Sequence, residues 1–512
     1  MKDWESAGMD GPIEKELPKR LAKLGIVLSA EIDFSQANDI DAELLVTRIS
    51  NLYKNVGEGL KILNGEEFTR LISELRNEKV PAPVEITTPA SFVPVAASIK
   101  PRFSTILKKT ESTAGTVSDF VEYFNDRLRR VKRIIEAERG NSLNPVAGLD
   151  LIAKFPSGRE LCVVGVVRDR ITTKNGNIMV VIEDDKATAK VIFMNSSYDR
   201  GKALFAKSGT IVNDEVIAVK GKVSGPFVIA NELVWPDIPI RDQRHSEEDV
   251  AVAFVSDVHV GSKLFMEKSF TNMIRWLNGE FDRKRELAGK VKYLIVGGDN
   301  VDGVGIYPNQ DRDLSASDYY AQYRMLFKLL ENVPDYIEIF MIPGNHDAVQ
   351  LSEPQPPLEQ EMVKDFGGDN LHLLSNPSYI DLNGVSILAY HGASLDSIIA
   401  SVPGMSYAAP EKAMIEILKR RHLSPIYGGN TIVPSRNDNL VIERIPDVLF
   451  MGHIHKNGFS NYHGIDILNS GTWQSRTDYQ IKQGHIPTPG ILPVMELKSR
   501  VFNFIDFNTV QQ

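Results

Sequence analysis

A single cysteine in 512 residues leaves no partner for an internal disulfide. That residue, Cys162, stands in the apolar run Leu161-Cys162-Val163-Val164, where a buried and inert thiol is expected. Long hydrophobic runs are also missing: no segment approaches the roughly 18 apolar residues that cross a bilayer. The start, MKDWESAGMD, lacks the basic end and apolar stretch of a secretory signal. The expectation is a soluble cytoplasmic chain with no membrane partner. Excess positive charge is absent too, with 58 Lys and Arg against 67 Asp and Glu, a net charge of -9. General attraction to a nucleic-acid backbone is therefore not expected, and any DNA contact has to come from local patches, metals or a partner.

What is present is ordinary globular material, 42% hydrophobic and 24% charged, in a chain too long for one core. Residues 1–80 read as a small helical module, with Leu17, Leu21 and Leu24, then Leu44, Leu45, Ile49 and Leu52, at helical spacing. Residues 81–118 carry Pro81, Pro83, Pro89, Pro94 and Pro101 among Ser, Thr and Ala and are expected to be a flexible linker.

A helix plus barrel is expected over 119–245. Phe120, Val121, Phe124, Leu128, Val131 and Ile135 mark one helix face. The other carries Arg127, Arg129, Arg130, Lys132, Arg133 and Arg139, read as a solvated face first and a nucleic-acid contact second. From Leu161 the pattern shortens to strands, with Asn175-Gly176 as a two-residue hairpin signal and further strands at 216–223 and 227–234. Five or so close strands resemble an OB-type barrel. Its aromatic platform is thin, limited to Phe193, Phe227 and Trp235, so docking of a subunit is as reasonable as strand binding.

Residues 246–512 alternate apolar runs with helical stretches, as in an α/β domain. Strands are expected at 250–255, 293–296, 336–342, 385–390, 448–451 and 465–469. A chemically suggestive group follows five of them: Asp257-Val258-His259, Gly298-Asp299, Gly344-Asn345-His346-Asp347, His391-Gly392 and Gly452-His453-Ile454-His455. Five of the ten histidines fall in these turns. Asp257 and His259, like His453 and His455, are two apart, so on extended backbone each pair points to one side. Imidazole mixed with carboxylate suits Mn, Fe or Zn. Two such ions serve the hydrolysis of a phosphate ester.

The constellation resembles the calcineurin-like metallophosphoesterase superfamily over roughly 249–500. That resemblance implies an α/β/β/α sandwich in a multidomain α/β chain. It places Asp257, His259 and His455 on one metal, Asn345, His391 and His453 on the other, and Asp299 between them. His346 would be the acid near the leaving oxygen and Asp347 its orienting partner.

With the helical module, Pro-rich stretch and OB-like barrel ahead of it, and with Gly471-Thr472-Trp473-Gln474, Tyr479-Gln480 and Pro487-Thr488-Pro489-Gly490 behind, the chain is also similar to the small subunits of archaeal family D DNA polymerases. This second resemblance implies a nucleoid-associated 3'-5' exonuclease that uses two divalent ions, Mn first, on a single-stranded or mismatched 3' end of DNA. It also implies a large catalytic subunit as partner. A non-catalytic assembly subunit and a stand-alone phosphomonoesterase stay open as alternatives. The acidic loop 302–313 is expected to be solvated.

Overall fold

The computed structural model describes residues 13–37, 42–53, 61–77, 86–107, 113–139, 146–364 and 366–508. By its contacts the chain divides at Pro83. In the first unit, helices α1 (Ile13–Lys23), α2 (Ala42–Leu52) and α3 (Gly65–Asn77) surround two short parallel strands, β1 (Ile26–Leu28) and β2 (Lys61–Leu63). Leu17, Leu21, Leu45, Ile49 and Phe68 are buried in its small core. Leu17 and Leu21 lie in α1 and Leu44, Leu45, Ile49 and Leu52 in α2, while Leu24 follows α1. Residues 1–12, 38–41, 54–60 and 78–80 of the expected module lie outside the described residues, and the two three-residue strands are too short to show as a pattern.

The second unit begins with a departure from expectation. Residues 86–107 do not form a free linker. Helix α4 (Val95–Ser98) is followed by β3 (Phe103–Leu107), which pairs antiparallel with 378–382 at the edge of a sheet. Prolines keep this stretch extended, an edge strand tolerates them, and Phe103 then packs on Phe340 at 5.0 Å. Arg102 N–H donates to Tyr293 Oη at 3.0 Å and Lys292 Nζ to Ala96 O at 3.1 Å.

Helix α5 (Val117–Arg139) leads to a closed barrel of β4 (Glu160–Thr172), β5 (Ile178–Glu183), β6 (Thr188–Phe193), β7 (Val216–Ser224) and β8 (Phe227–Val234), with α6 (Asp199–Ser208) between β6 and β7. Gly176, at φ +73°, closes the β4–β5 turn. That turn has three central residues rather than two, because Thr173 and Asn177 remain paired. Phe193 and Trp235 are core residues and offer no stacking face. Cys162 is buried, and burial pushes its thiol up to about 11.

Arg127 corrects the reading of the α5 basic face. It is 1% exposed, with Nε donating to Asp438 Oδ2 at 2.7 Å and Nη1 to the carbonyls of Asp214 and Pro425. Arg130 grips Glu443 through two bonds of 2.8 and 2.7 Å. Helical periodicity places these side chains on one face but says nothing of the carboxylates that meet them about 300 residues later.

His422 Nε2 also donates to Asp438 Oδ2, at 2.7 Å, while its Nδ1 accepts from Ser424 N–H, so the ring is held neutral. Burial and the nearby Arg127 lower it to about 4. The unfolded ring titrates near 6.5, so the unfolded chain binds the extra proton first and stability falls with pH between about 6.5 and 4. We expect a loss on the order of 2 kcal/mol from this group between pH 7 and 4.5. Urea midpoints at the two values will show it, and a His422→Gln variant whose pH dependence stays as steep as the parent's rules it out.

The remaining residues form two six-stranded sheets. The first is built from β9 (Ala251–Val255), β10 (Val291–Gly297), β11 (Glu338–Ile342), β12 (Leu371–Leu373), β18 (Ile491–Glu496) and β19 (Phe502–Asp506). Beside β3, the second contains β13 (Ser378–Leu382), β14 (Val385–Ala389), β15 (Val448–Met451), β16 (Gly458–Tyr462) and β17 (Ile465–Asn469). Val252, Phe254, Ile295 and Phe340 meet Ile387, Val448, Phe450 and Leu468 between the sheets.

The alternate residues Ala251, Ala253, Val255 and Leu294 face α7 (Glu267–Leu277), α8 (Arg285–Lys290) and α9 (Tyr319–Leu330). Leu449, Met451, Ile465 and Ile467 face α10 (Leu395–Ser401) and α11 (Pro410–Arg420). Strands buried on both faces read as continuous apolar runs, which is why all six expected strands are found there. The short α12 (Asp478–Lys482) lies between β17 and β18. No described helix is long and apolar enough to cross a membrane.

Candidate metal centre

The parallel strands β9, β10, β11, β14 and β15 end side by side, and the five motif turns leave from those ends. The backbone does not stay extended there. Asp257, His259, Asp299, His453 and His455 all have φ between +49° and +67°, the left-handed region that non-glycine residues avoid. The two-residue spacing thus works through left-handed turns, not through strand alternation as expected. A Cβ on Gly344 would collide with Asp299, and one on Gly452 with Ser256 and Asp257, so these two positions admit only glycine.

Every residue expected to hold metal is brought together. Asp299 Oδ2 is central, 3.4 Å from His391 Nε2 and 3.9 Å from both His259 Nε2 and His346 Nε2. Asp257 Oδ1 lies 3.3 Å from His455 Nε2, and the Nε2 atoms of His259 and His455 are 3.0 Å apart. His391 Nε2 is 3.1 Å from Asn345 Oδ1. Three ligand groups arise: Asp257, His259 and His455; Asp299, His391 and His453; and His259, Asp299 and His346.

The donor chemistry fits a cation. His259 Nδ1 donates to Asp302 Oδ1 at 3.1 Å, His391 Nδ1 to Gly297 O at 2.9 Å, His453 Nε2 to Asp396 Oδ2 at 3.0 Å and His346 Nδ1 to Asp302 O at 2.7 Å. On His259, His346 and His391 the other nitrogen, Nε2, then faces the buried Asp299 carboxylate, an arrangement that needs positive charge, a proton or a cation, in the middle. Burial alone would lower His391, yet Asp299 and Asp257 push it up to about 10. Asp299 in turn is held well below the usual carboxylate range, burial being more than offset by His391 and His346.

Two expectations need correction. Asp302 is not part of a solvated loop. It is 1% exposed and accepts from His259, from Gln310 Nε2 at 3.2 Å and from Gln474 Nε2 at 3.0 Å, while Asp311 and Asp313 are exposed as expected. Nor does Asp347 touch the His346 ring. It accepts from Gly344 N–H, Asn300 N–H and Tyr323 Oη, bracing the turn, and the backbone of Asp302 orients His346 instead. Burial raises Asp347 to about 6.

Several residues escaped the sequence reading because they act through ligands. Gln480 lies 2.8 Å from His455 Nδ1 and Asp396 bonds His453. Thr472 Oγ1 and Trp473 N–H both donate to Asp257 O. Only the run 471–480, singled out by resemblance, carried a signal for any of them.

Comparison with known proteins adds the family. The family model of the B subunits of DNA polymerases alpha and epsilon matches residues 252–460. The DNA polymerase II small subunit of Methanothermobacter thermautotrophicus is 38% identical over 454 residues, covering 87% of this chain and 91% of that one. The chain belongs to the DNA polymerase II small-subunit family. The Archaeoglobus fulgidus small subunit is 41% identical over 75% of this chain and 76% of its own. For Methanocaldococcus jannaschii the identity is 40%, and the match spans 64% of that longer protein, just under two thirds. Among solved structures, an archaeal phosphodiesterase aligns over 50% of this small subunit and 99% of itself, with 15% identity and a TM-score of 0.25.

Proposed function

We propose that this small subunit is a metal-dependent 3'-5' exodeoxyribonuclease that proofreads for a large catalytic subunit, on a calcineurin-like metallophosphoesterase sandwich. The observation that carries the proposal is the convergence of five imidazoles, Asp257, Asp299 and Asn345, with four of the rings pinned by hydrogen bonds at the far nitrogen. Asp257, His259 and His455 would hold one ion; Asn345, His391 and His453 the other; Asp299 would touch both. Mn, Fe or Zn suits this set, with Mn for activity. When bound, such ions supply a hydroxide near neutral pH and neutralise the attacked phosphate.

The remaining work falls to the protein. The backbone of Asp302 fixes His346 with Nε2 toward Asp299. Burial lowers this ring, which keeps it neutral at pH 7. Its Nε2 would then accept a proton from solvent water and pass it to the leaving oxygen as the phosphorus–oxygen bond breaks. Family membership supports DNA as substrate and a polymerase partner; the polarity rests on the resemblance.

Purified chain with Mn and a 3'-labelled single strand should release mononucleotides. No metal-dependent release, alone or with the large subunit, overturns the proposal. Preference for a phosphomonoester over DNA would favour a different hydrolase.

Asp302→Ala removes the acceptor that aims His259 and the partner of Gln474. Loss of such an outer partner costs about 10- to 100-fold in metal affinity or activity. We expect that loss in a Mn titration of strand cleavage, and a change below threefold contradicts the assignment.

A further inference from the structure

Beyond the ligands, the segment 477–486 is tied to both histidines of the Gly452-His453-Ile454-His455 turn by separate routes. Thr477 caps α12 reciprocally with Gln480, whose amide oxygen accepts from Thr477 N–H at 3.1 Å. The amide nitrogen of the same side chain lies 2.8 Å from His455 Nδ1. On the other side the His485 ring packs on Tyr407 at 4.1 Å, Tyr407 bonds Asp396, and Asp396 bonds His453. The segment is therefore joined to the candidate metal centre at two points.

Its outward side chains are surplus to the core. Tyr479, Ile481 and Ile486 are 68, 53 and 69% exposed, three large apolar groups within eight residues. Arg476 and Lys482 stand among them, both exposed, in a chain whose net charge is -9. Tyr479 offers one ring, and Arg476 and Lys482 two cations beside the exposed carboxylate of Asp478. A ring with cations is what a single nucleic-acid strand requires, since bases stack on rings while phosphates seek ammonium and guanidinium groups. Rings and arginines also serve protein interfaces, so capture of the large subunit is measured beside strand binding. In the barrel Phe193 and Trp235 are buried, and Phe227 is half-buried.

We propose that residues 476–486 are the base-binding lip of the centre, with Tyr479 stacking on a base of single-stranded DNA and Arg476 and Lys482 meeting its phosphates. The inference rests on the nuclease reading for its substrate class. The test is equilibrium binding by the full chain with Mn, using a fluorescent oligo-dT and an abasic strand of equal length, both closed by 3'-terminal phosphorothioates. The parent should prefer oligo-dT by about tenfold, as loss of one base stack implies.

Tyr479→Ala should erase the preference, Tyr479→Phe should keep it, and Arg476→Ala with Lys482→Ala should weaken both strands alike. Equal binding of the two strands by the parent, or an unchanged preference in Tyr479→Ala, overturns the lip. So does a Tyr479→Ala chain that keeps the preference but no longer captures the large subunit. Cleavage of an unmodified strand is scored separately, so the nuclease reading can fail while the lip stands, and the reverse.

Discussion

Replacing Asp299 by alanine should strip the protein of bound metal and lower strand cleavage by roughly three orders of magnitude or more. One oxygen of this carboxylate faces three imidazoles, and the other accepts from His346 N–H at 2.9 Å, so no other side chain can take over both duties. Asp299→Asn should behave alike, because it keeps the shape and removes the charge. His346→Ala is the contrasting case. It should retain two Mn per chain after dialysis and slow turnover by about 100-fold, the size of a lost proton-transfer group. Elemental analysis beside the rates separates the two. Because His259, Asp299 and His346 also satisfy the distances of a ligand group, equal metal loss in both variants would move His346 among the ligands.

The largest stability effect should come from Arg127→Ala. Asp438 is fully buried and accepts from Arg127 and His422, so truncating the arginine leaves a carboxylate without its compensating charge. Breaking one side of such a pair costs about 3–5 kcal/mol, whereas replacing all partners by apolar groups is often neutral. Urea denaturation should show the loss. Arg127→Met with Asp438→Leu and His422→Leu should recover much of it. A loss below about 1 kcal/mol in the single variant would mean that the cluster is solvated and the pairing unimportant.

How far the sequence spoke depended on range. The six strands with continuous apolar runs were legible because their burial on both faces is written locally. Gly458–Tyr462 was not, since its exposed and half-buried positions carry Ser460 and Asn461, nor was Ser378–Leu382, a run no more broken than Ile465–Asn469. The clustered Asp, Asn and His residues were legible as residue types after strands. Their helpers were not: Asp302 and Gln480 are ordinary polar residues until the fold sets them against His259 and His455. Arg127 shows the same limit, since its partner Asp438 is 311 positions away. The 86–107 stretch misled for a different reason, because proline marks extended chain equally well in a linker and in an edge strand.

The left-handed residues of the centre carry a consequence for substitution. Five non-glycine residues in that conformation store on the order of 1–3 kcal/mol each, offset by the bonds that hold the turns, such as those from His453 N–H to Asp257 and from His346 N–H to Asp299. Glycine at His259 or His455 would relieve that strain without unpairing a backbone donor, whereas at Asp257 or Asp299 it would leave His453 N–H or His346 N–H without an acceptor, so the turns differ in how much change they tolerate.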